Sequence, residues 1–236
     1  MKTEAEHQSK QGNIPNSKIK FFQEKILGWY KNSGRKFPWR NKGLTHYQYI
    51  IAEVLLQRTK AETIAKFYPK FLKDFPNWAI LANGNRQKLE DYLKPVGLYR
   101  QRASRLRSLA IEMVKRKGRL PRDRKELESI PFMGQYISNA VELIIFNQPS
   151  PLIDVNMSRV LERFFGERQL ADIRYDPYLQ ALSYKVVDHK MAREINWAIL
   201  DFAATVCKSS NPLHSVCVLN KHCAFCVKSN GSEEIK

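Results

Sequence analysis

From Ser17 onward, apolar residues return at helical spacing, and almost nowhere does the chain alternate as a strand would. Ile19, Phe22, Ile26, Trp29 and Tyr30 open the series. After a loop holding Pro38 and Gly43 it resumes through Tyr49–Arg58. Further helices fit Trp78–Leu81, Arg86–Leu93, Arg100–Arg116, Arg124–Ile130, Gln135–Phe146, Ser158–Phe165, Tyr178–Val187 and Met191–Cys207. Thr59-Lys-Ala-Glu62 and Asp123-x-x-Glu126 have the form of capping boxes, in which two side chains satisfy the free amides of a helix start. Such a chain buries its apolar faces helix against helix, so an all-α fold is expected. Residues 1–16 are polar, show no period and read as a flexible tail.

With 236 residues, 43% of them hydrophobic and 27% charged, the chain suits one large domain or two small ones with a true core. Forty Lys and Arg against 23 Asp and Glu leave a surplus of +17. The surplus is spread through Arg100–Arg107, Lys115–Lys125 and Arg159–Arg168, so it belongs to the folded body. A polyanionic partner follows, with DNA first, RNA second and an anionic membrane third; a basic protein without such a partner is the plain alternative. Apolar stretches such as Ala140–Phe146 are too short to cross a bilayer. The N-terminus lacks an apolar signal core, so a reducing compartment is expected. There, four cysteines gathered within Cys207–Cys226 read as a metal or cluster site rather than as disulfides.

Glu126–Phe146 reads as a helix, a four-residue break Pro131-Phe-Met-Gly134, and a second helix. So short a connection forces a compact helical hairpin. The first amides of the second helix have no intrahelical partner and carry the positive end of its dipole, which makes a phosphate seat. The same pattern also serves as an ordinary corner in a helical bundle.

Glu128-Ser-Ile-Pro-Phe-Met-Gly-Gln-Tyr-Ile-Ser-Asn-Ala140, followed by Ile153-Asp-Val-Asn-Met-Ser-Arg-Val160, resembles the helix-hairpin-helix DNA glycosylases. That superfamily includes endonuclease III, the MutY adenine glycosylases and the thymine-DNA mismatch glycosylases. Phe37-Pro-Trp-Arg40, Ala52-Glu-Val-Leu-Leu-Gln-Arg-Thr59 and Val96-Gly-Leu-Tyr99 with Arg102-Ala103 resemble further family segments, in family order, from about Lys18 to Cys226. The resemblance implies a two-domain endonuclease III-like fold. Residues 44–150 would form a six-helix domain containing the hairpin 124–146. Residues 17–43 and 151–236 would form a second helical domain with a cysteine-cluster loop, 207–226. One departure lies in the hairpin, where Phe132 stands in place of the family's usual glycine.

The chemistry implied is cleavage of an N-glycosidic bond, which builds positive charge on the sugar. Asp154 occupies the place of the family's catalytic aspartate; as a residue type it also serves as a plain helix cap. Glu53, set between Ile51 and Val54 in an apolar helix, resembles the glutamate that assists the leaving base; a helix-face glutamate paired with an Arg is the alternative reading. The two are expected to meet in one pocket around an extruded nucleotide. Tyr136 stands where bifunctional relatives carry a Schiff-base lysine, which implies hydrolysis with little strand cleavage; as a catalytic-site residue it would stack on the flipped nucleotide or hydrogen-bond near Asp154. It equally suits a core aromatic. Gln57 and Tyr99 resemble the residues that fill the hole left by the extruded nucleotide. Arg58 and Arg102 are expected as further DNA contacts. Gly134 and Gln135 would offer phosphate-contacting amides. Asn156 is placed at the DNA site as a local positioning residue.

Relatives often end in a [4Fe–4S] loop of spacing C-x6-C-x2-C-x5-C. Aligned to it, the ligands become Cys207, His214, Cys217 and Cys223, with Cys226 as an alternative ligand. Three outcomes stay open: an iron–sulfur cluster, a zinc site, or free thiols. Asp154-Val155-Asn156 lacks the glycine usual in MutY proteins, and the chain ends soon after Cys226. The expectation is therefore a mismatch glycosylase acting on thymine or uracil opposite guanine. An adenine glycosylase without an 8-oxoguanine reader, or a non-catalytic DNA-binding module, is the alternative. The partner would be double-stranded DNA with a mismatched or damaged base, bound by a monomer in the prokaryotic cytosol at the nucleoid, or in another reducing compartment that holds DNA.

Overall fold

The computed structural model describes residues 14–231, and these fold as helices joined by loops and short 3-10 turns, with no strand among them. The chain divides into two compact units. The hairpin unit spans residues 36–148. The terminal unit joins the chain up to residue 35 with the chain from residue 149 onward. The tail expected over 1–16 lies outside the described residues as far as residue 13, and Asn16 already opens the first helix.

In the hairpin unit, α2 (His46–Leu56) is the central rod; α1 is given with the terminal unit below. Every residue from Ile50 to Leu55 is buried, so α2 has no solvent face along that stretch. Each fully buried Ile or Leu contributes about 1.5–3 kcal/mol, which makes this helix the anchor of the unit. It packs against α3 (Ala61–Asp74), α6 (Tyr99–Lys115) and α8 (Gln135–Ile144). Between them lie α4 (Trp78–Asn83), α5 (Arg86–Leu93) and α7 (Arg124–Ser129). Residues 36–43, expected with the other unit, belong here: Phe37 and Trp39 are buried and stack at 4.7 Å between ring centroids.

Two helix starts differ from the sequence expectation. The helix expected at Tyr49 begins at His46, because Thr45 caps it in a full capping box with Gln48. The box expected at Thr59 does not form. Lys60 is the N-cap residue of α3, without a side-chain cap. Thr59 instead donates its hydroxyl to the Val96 carbonyl at 3.2 Å and accepts from Arg102 at 2.9 Å. At Asp123 the expected cap does form, with Asp123 accepting from the Glu126 amide at 2.8 Å.

The hairpin turns between α7 and α8. Arg124, held by Glu128 on its own helix at 2.8 Å, straps α7 to α8 through Asn139 at 2.7 Å and Glu142 at 2.8 Å. Ser138 ties its hydroxyl back to the Met133 carbonyl at 2.8 Å. Phe132 takes a φ of 75°, the left-handed conformation that a glycine would adopt freely. The Arg105 guanidinium lies 4.4 Å from the centre of its ring. A phenylalanine therefore does a glycine's backbone work here, with a cation–π contact as partial compensation.

In the terminal unit, α1 (Asn16–Ser33) packs against α11 (Ala192–Thr205) through Trp29 and Phe202, edge to face at 5.1 Å. Arg35 secures the end of α1 by donating to the buried Asp201 from its amide and its Nε, both at 2.8 Å. Around α11 lie α9 (Val155–Phe165), α10 (Pro177–Val187) and, packed on α9, α12 (Ala224–Gly231). Helix α9 starts at Val155, three residues before the expected Ser158, because Asp154 caps it.

Candidate active site and cysteine loop

Glu53 lies on the buried stretch of α2, only 6% exposed. Its charge, after burial and a contribution from Tyr49, helps push the Tyr68 hydroxyl above its ordinary pKa, so carboxyl and phenol are neighbours. Gln57 follows at the C-terminal end of the same helix, partly exposed. Tyr99 opens α6, packed in part against the core. Gly134 is the exposed N-cap residue of α8, and a Cβ placed there would meet nothing within 4 Å. Gln135 and Tyr136 form the first turn of α8, both partly exposed. Arg58 is exposed beside Gln57.

Arg102 requires a correction. Expected as a DNA contact, it is 5% exposed and its donors are turned inward. Nη1 donates to the Leu55 carbonyl at 2.6 Å; Nη2 donates to the Gln57 carbonyl at 3.0 Å and to Thr59 Oγ1 at 2.9 Å. Burial, and then the charge of Arg105, lowers its pKa. A guanidinium so enclosed does not reach a phosphate.

In the terminal unit, Asp154 precedes α9 and accepts three N–H bonds. The amides of Asn156 and Met157 reach Oδ1 at 2.9 and 2.8 Å, and the Asn156 side chain donates to Oδ2 at 2.8 Å. Asn156 is in turn held by Arg159, whose Nη2 donates to Asn156 Oδ1 at 3.2 Å and to the Ala203 carbonyl at 3.0 Å. The chain leading into Asp154 is fixed by the buried Asn196. Its Oδ1 accepts from the Leu152 amide at 2.6 Å, and its Nδ2 donates to Ser150 and Ala192 carbonyls. A capping role and a fixed, partly buried carboxylate are thus combined in one residue. Such an arrangement suits a group that must face a developing positive charge without reorganising.

Residues 51–175 match the HhH-GPD superfamily base excision DNA repair protein family. The chain belongs to it. A thymine/uracil-DNA glycosylase of Pyrobaculum aerophilum is 34% identical over 210 residues, which cover 86% of this chain and 91% of that one. A thymine-DNA glycosylase of Aeropyrum pernix is 32% identical over 217 residues, covering 90% and 97%. The solved structure of a thermostable thymine-DNA glycosylase superposes with a TM-score of 0.84 at 30% identity, over 92% of this chain and all of that one.

Many HhH-GPD proteins carry an iron–sulfur cluster, and the cysteine loop is where this chain would hold one. Among the described residues, no three His, Cys, Asp or Glu side chains converge tightly enough to hold a metal ion. The thiols are neighbours nonetheless. Burial first, then the charges of Cys223, Cys217 and Cys207, pushes the Cys226 thiol up to about 12. Arg163 Nη1 lies 3.5 Å from the Cys207 sulfur. N–H donors around sulfur suit thiolate ligands. His214 is exposed, whereas Cys223 and Cys226 are buried; His214 Nδ1 lies 2.8 Å from Cys226 Sγ.

Sequence reasoning missed the roles of Asn196, Arg159 and Arg124 in this HhH-GPD protein. Arg159 lies in the quoted motif, and its spacing from Asn156 places both on one face of α9. Asn196, buried in an apolar helix, was the only local signal for its role.

Proposed function

We propose that the chain is a monofunctional DNA glycosylase that extrudes thymine or uracil mispaired with guanine and hydrolyses its N-glycosidic bond. The observation that carries the reading is the Asp154 carboxylate, fixed by three N–H donors at the start of α9. The names of the relatives from Pyrobaculum aerophilum and Aeropyrum pernix support thymine and uracil as the bases.

In this reading Asp154 faces the sugar as the bond from C1′ to the base nitrogen breaks. Its negative charge stabilises the oxocarbenium-like state, and water delivers a hydroxyl to C1′ while its remaining proton passes to the medium or the departing base. Glu53 hydrogen-bonds or protonates the leaving base. Gln57 and Tyr99 enter the space that the extruded nucleotide vacates, and the Gly134 and Gln135 amides grip the backbone. Tyr136 supplies no amine, so no Schiff base forms.

Cys207, Cys217, Cys223 and Cys226 would hold a [4Fe–4S] cluster, with His214 Nδ1 beside the Cys226 sulfur at 2.8 Å; its chemistry there would be structural, cross-linking the loop 207–226. The enzyme would act as a monomer on double-stranded DNA in a reducing compartment, the prokaryotic cytosol.

Single-turnover assays on duplexes holding G·T, G·U and A·8-oxoguanine test this. Release of thymine and uracil, with no adduct trapped by borohydride, is expected. Release confined to adenine contradicts it in favour of the adenine-glycosylase reading.

A further inference from the structure

Gln57 and Tyr99 sit beside two strained turns. Arg58, the residue after Gln57, has a φ of 58°, and Leu98, the residue before Tyr99, has a φ of 50°. Left-handed backbone at a non-glycine persists only where the surroundings hold it.

Arg102 and Thr59 together tie the two turns. Arg102 donates to the carbonyls of Leu55 and Gln57, which brackets the end of α2. Its third bond goes to Thr59 Oγ1, and that hydroxyl donates to the Val96 carbonyl at the start of the Gly97–Leu98 turn. Its own amide bonds to the Leu98 carbonyl at 2.9 Å. The two turns are thereby linked through the Arg102 guanidinium and the Thr59 hydroxyl, and Arg102 itself stands in the first turn of the helix that Tyr99 opens. Among the described residues its partners are carbonyl and hydroxyl oxygens, not carboxylates. A buried charge bonded in this way is a costly route to bulk stability, which an apolar side chain supplies more cheaply. It is an effective way to fix the spacing of two loops.

We propose that Arg102 is a positioning residue for base extrusion, holding the Gln57 and Tyr99 turns at one spacing so that both side chains enter the duplex as a preformed wedge. This rests on the reading above, in which those two residues fill the vacated space. Extrusion costs unstacking and unpairing. A wedge already ordered adds no ordering cost to that barrier.

The test compares uracil release under single turnover from two duplexes, one with uracil opposite guanine and one with uracil opposite an abasic-site analogue. The second base is unpaired and needs less help to leave the stack. Arg102→Lys shortens the reach to the carbonyls, and Thr59→Val removes the hydroxyl link while keeping side-chain shape. Both are expected to slow release from the G·U duplex by about tenfold or more, and from the unpaired uracil by less than about threefold. A 2-aminopurine placed beside the mismatch should lose its fluorescence rise to the same degree.

Equal losses on both duplexes, or no loss on either, overturn the proposal; if Arg102→Lys fails to fold, Thr59→Val alone decides between these outcomes. Wild-type protein that releases uracil from neither duplex contradicts the proposed function itself and removes this inference with it.

Discussion

The side-chain amide of Asn156 donates to Asp154 Oδ2 at 2.8 Å, while the backbone amides of Asn156 and Met157 occupy Oδ1. One oxygen is therefore held by the helix and the other by a side chain that Arg159 in turn holds.

This division separates stability from catalysis. Asn156→Ala leaves the backbone cap of α9 intact, frees Asp154 Oδ2 and releases one of the Arg159 bonds. The rate of base release is expected to fall by roughly tenfold to a hundredfold, with duplex affinity and melting temperature close to wild type. Parallel single-turnover, binding and thermal-melt measurements check this; an equal fall in affinity would assign Asn156 to DNA contact instead.

At Phe132 the usual order of alanine and glycine is expected to reverse. Phe132→Ala keeps the left-handed strain and loses the contact with Arg105, whereas Phe132→Gly loses the contact and relieves the strain. The glycine variant should be the more stable of the two by about 1 kcal/mol, read from urea unfolding. A more stable alanine variant would show that the turn carries no strain.

Gly134 has an ordinary φ of −65° and open space where a Cβ would point. Nothing within the fold demands a glycine there. Gly134→Ala is expected to cost less than about 1 kcal/mol of stability, the loss of a modest N-cap preference. Affinity for duplex DNA should fall by about tenfold regardless of sequence, because backbone contacts carry no sequence information. Unchanged affinity would remove the α8 amides from the DNA interface.

The cysteine loop separates two ligand sets. With Cys226 as the fourth ligand, Cys226→Ser abolishes the visible absorbance of an iron–sulfur centre along with bound iron and sulfide, while His214→Ala keeps them. The reverse pattern would assign the position to His214.

The legibility of the sequence varied with how local each cause was. The helices and the hairpin were readable because their signals, apolar spacing and the Pro131–Gly134 break, lie within a few residues. Asp154 was readable as a cap because its signal is local, and the N-terminal boundary of α9 lies at Val155 because that cap forms. Thr59 and Arg102 were misread for the same reason as each other. Thr59 looked like a cap and Arg102 like a surface base, yet each is used by a partner more than 35 residues away, which no window of sequence reveals. Phe132 was legible as a departure, but its left-handed backbone and its pairing with Arg105 needed coordinates.

In the proposed mechanism the Asp154 carboxylate drives base release. Asp154→Asn is close to isosteric and retains a good capping residue, so the fold and the DNA-binding surface should survive the change. The decisive measurement is single-turnover release of thymine from a G·T duplex by this variant, made beside its affinity for the same duplex. Loss of release with affinity intact is the predicted result; release at the wild-type rate would contradict the account.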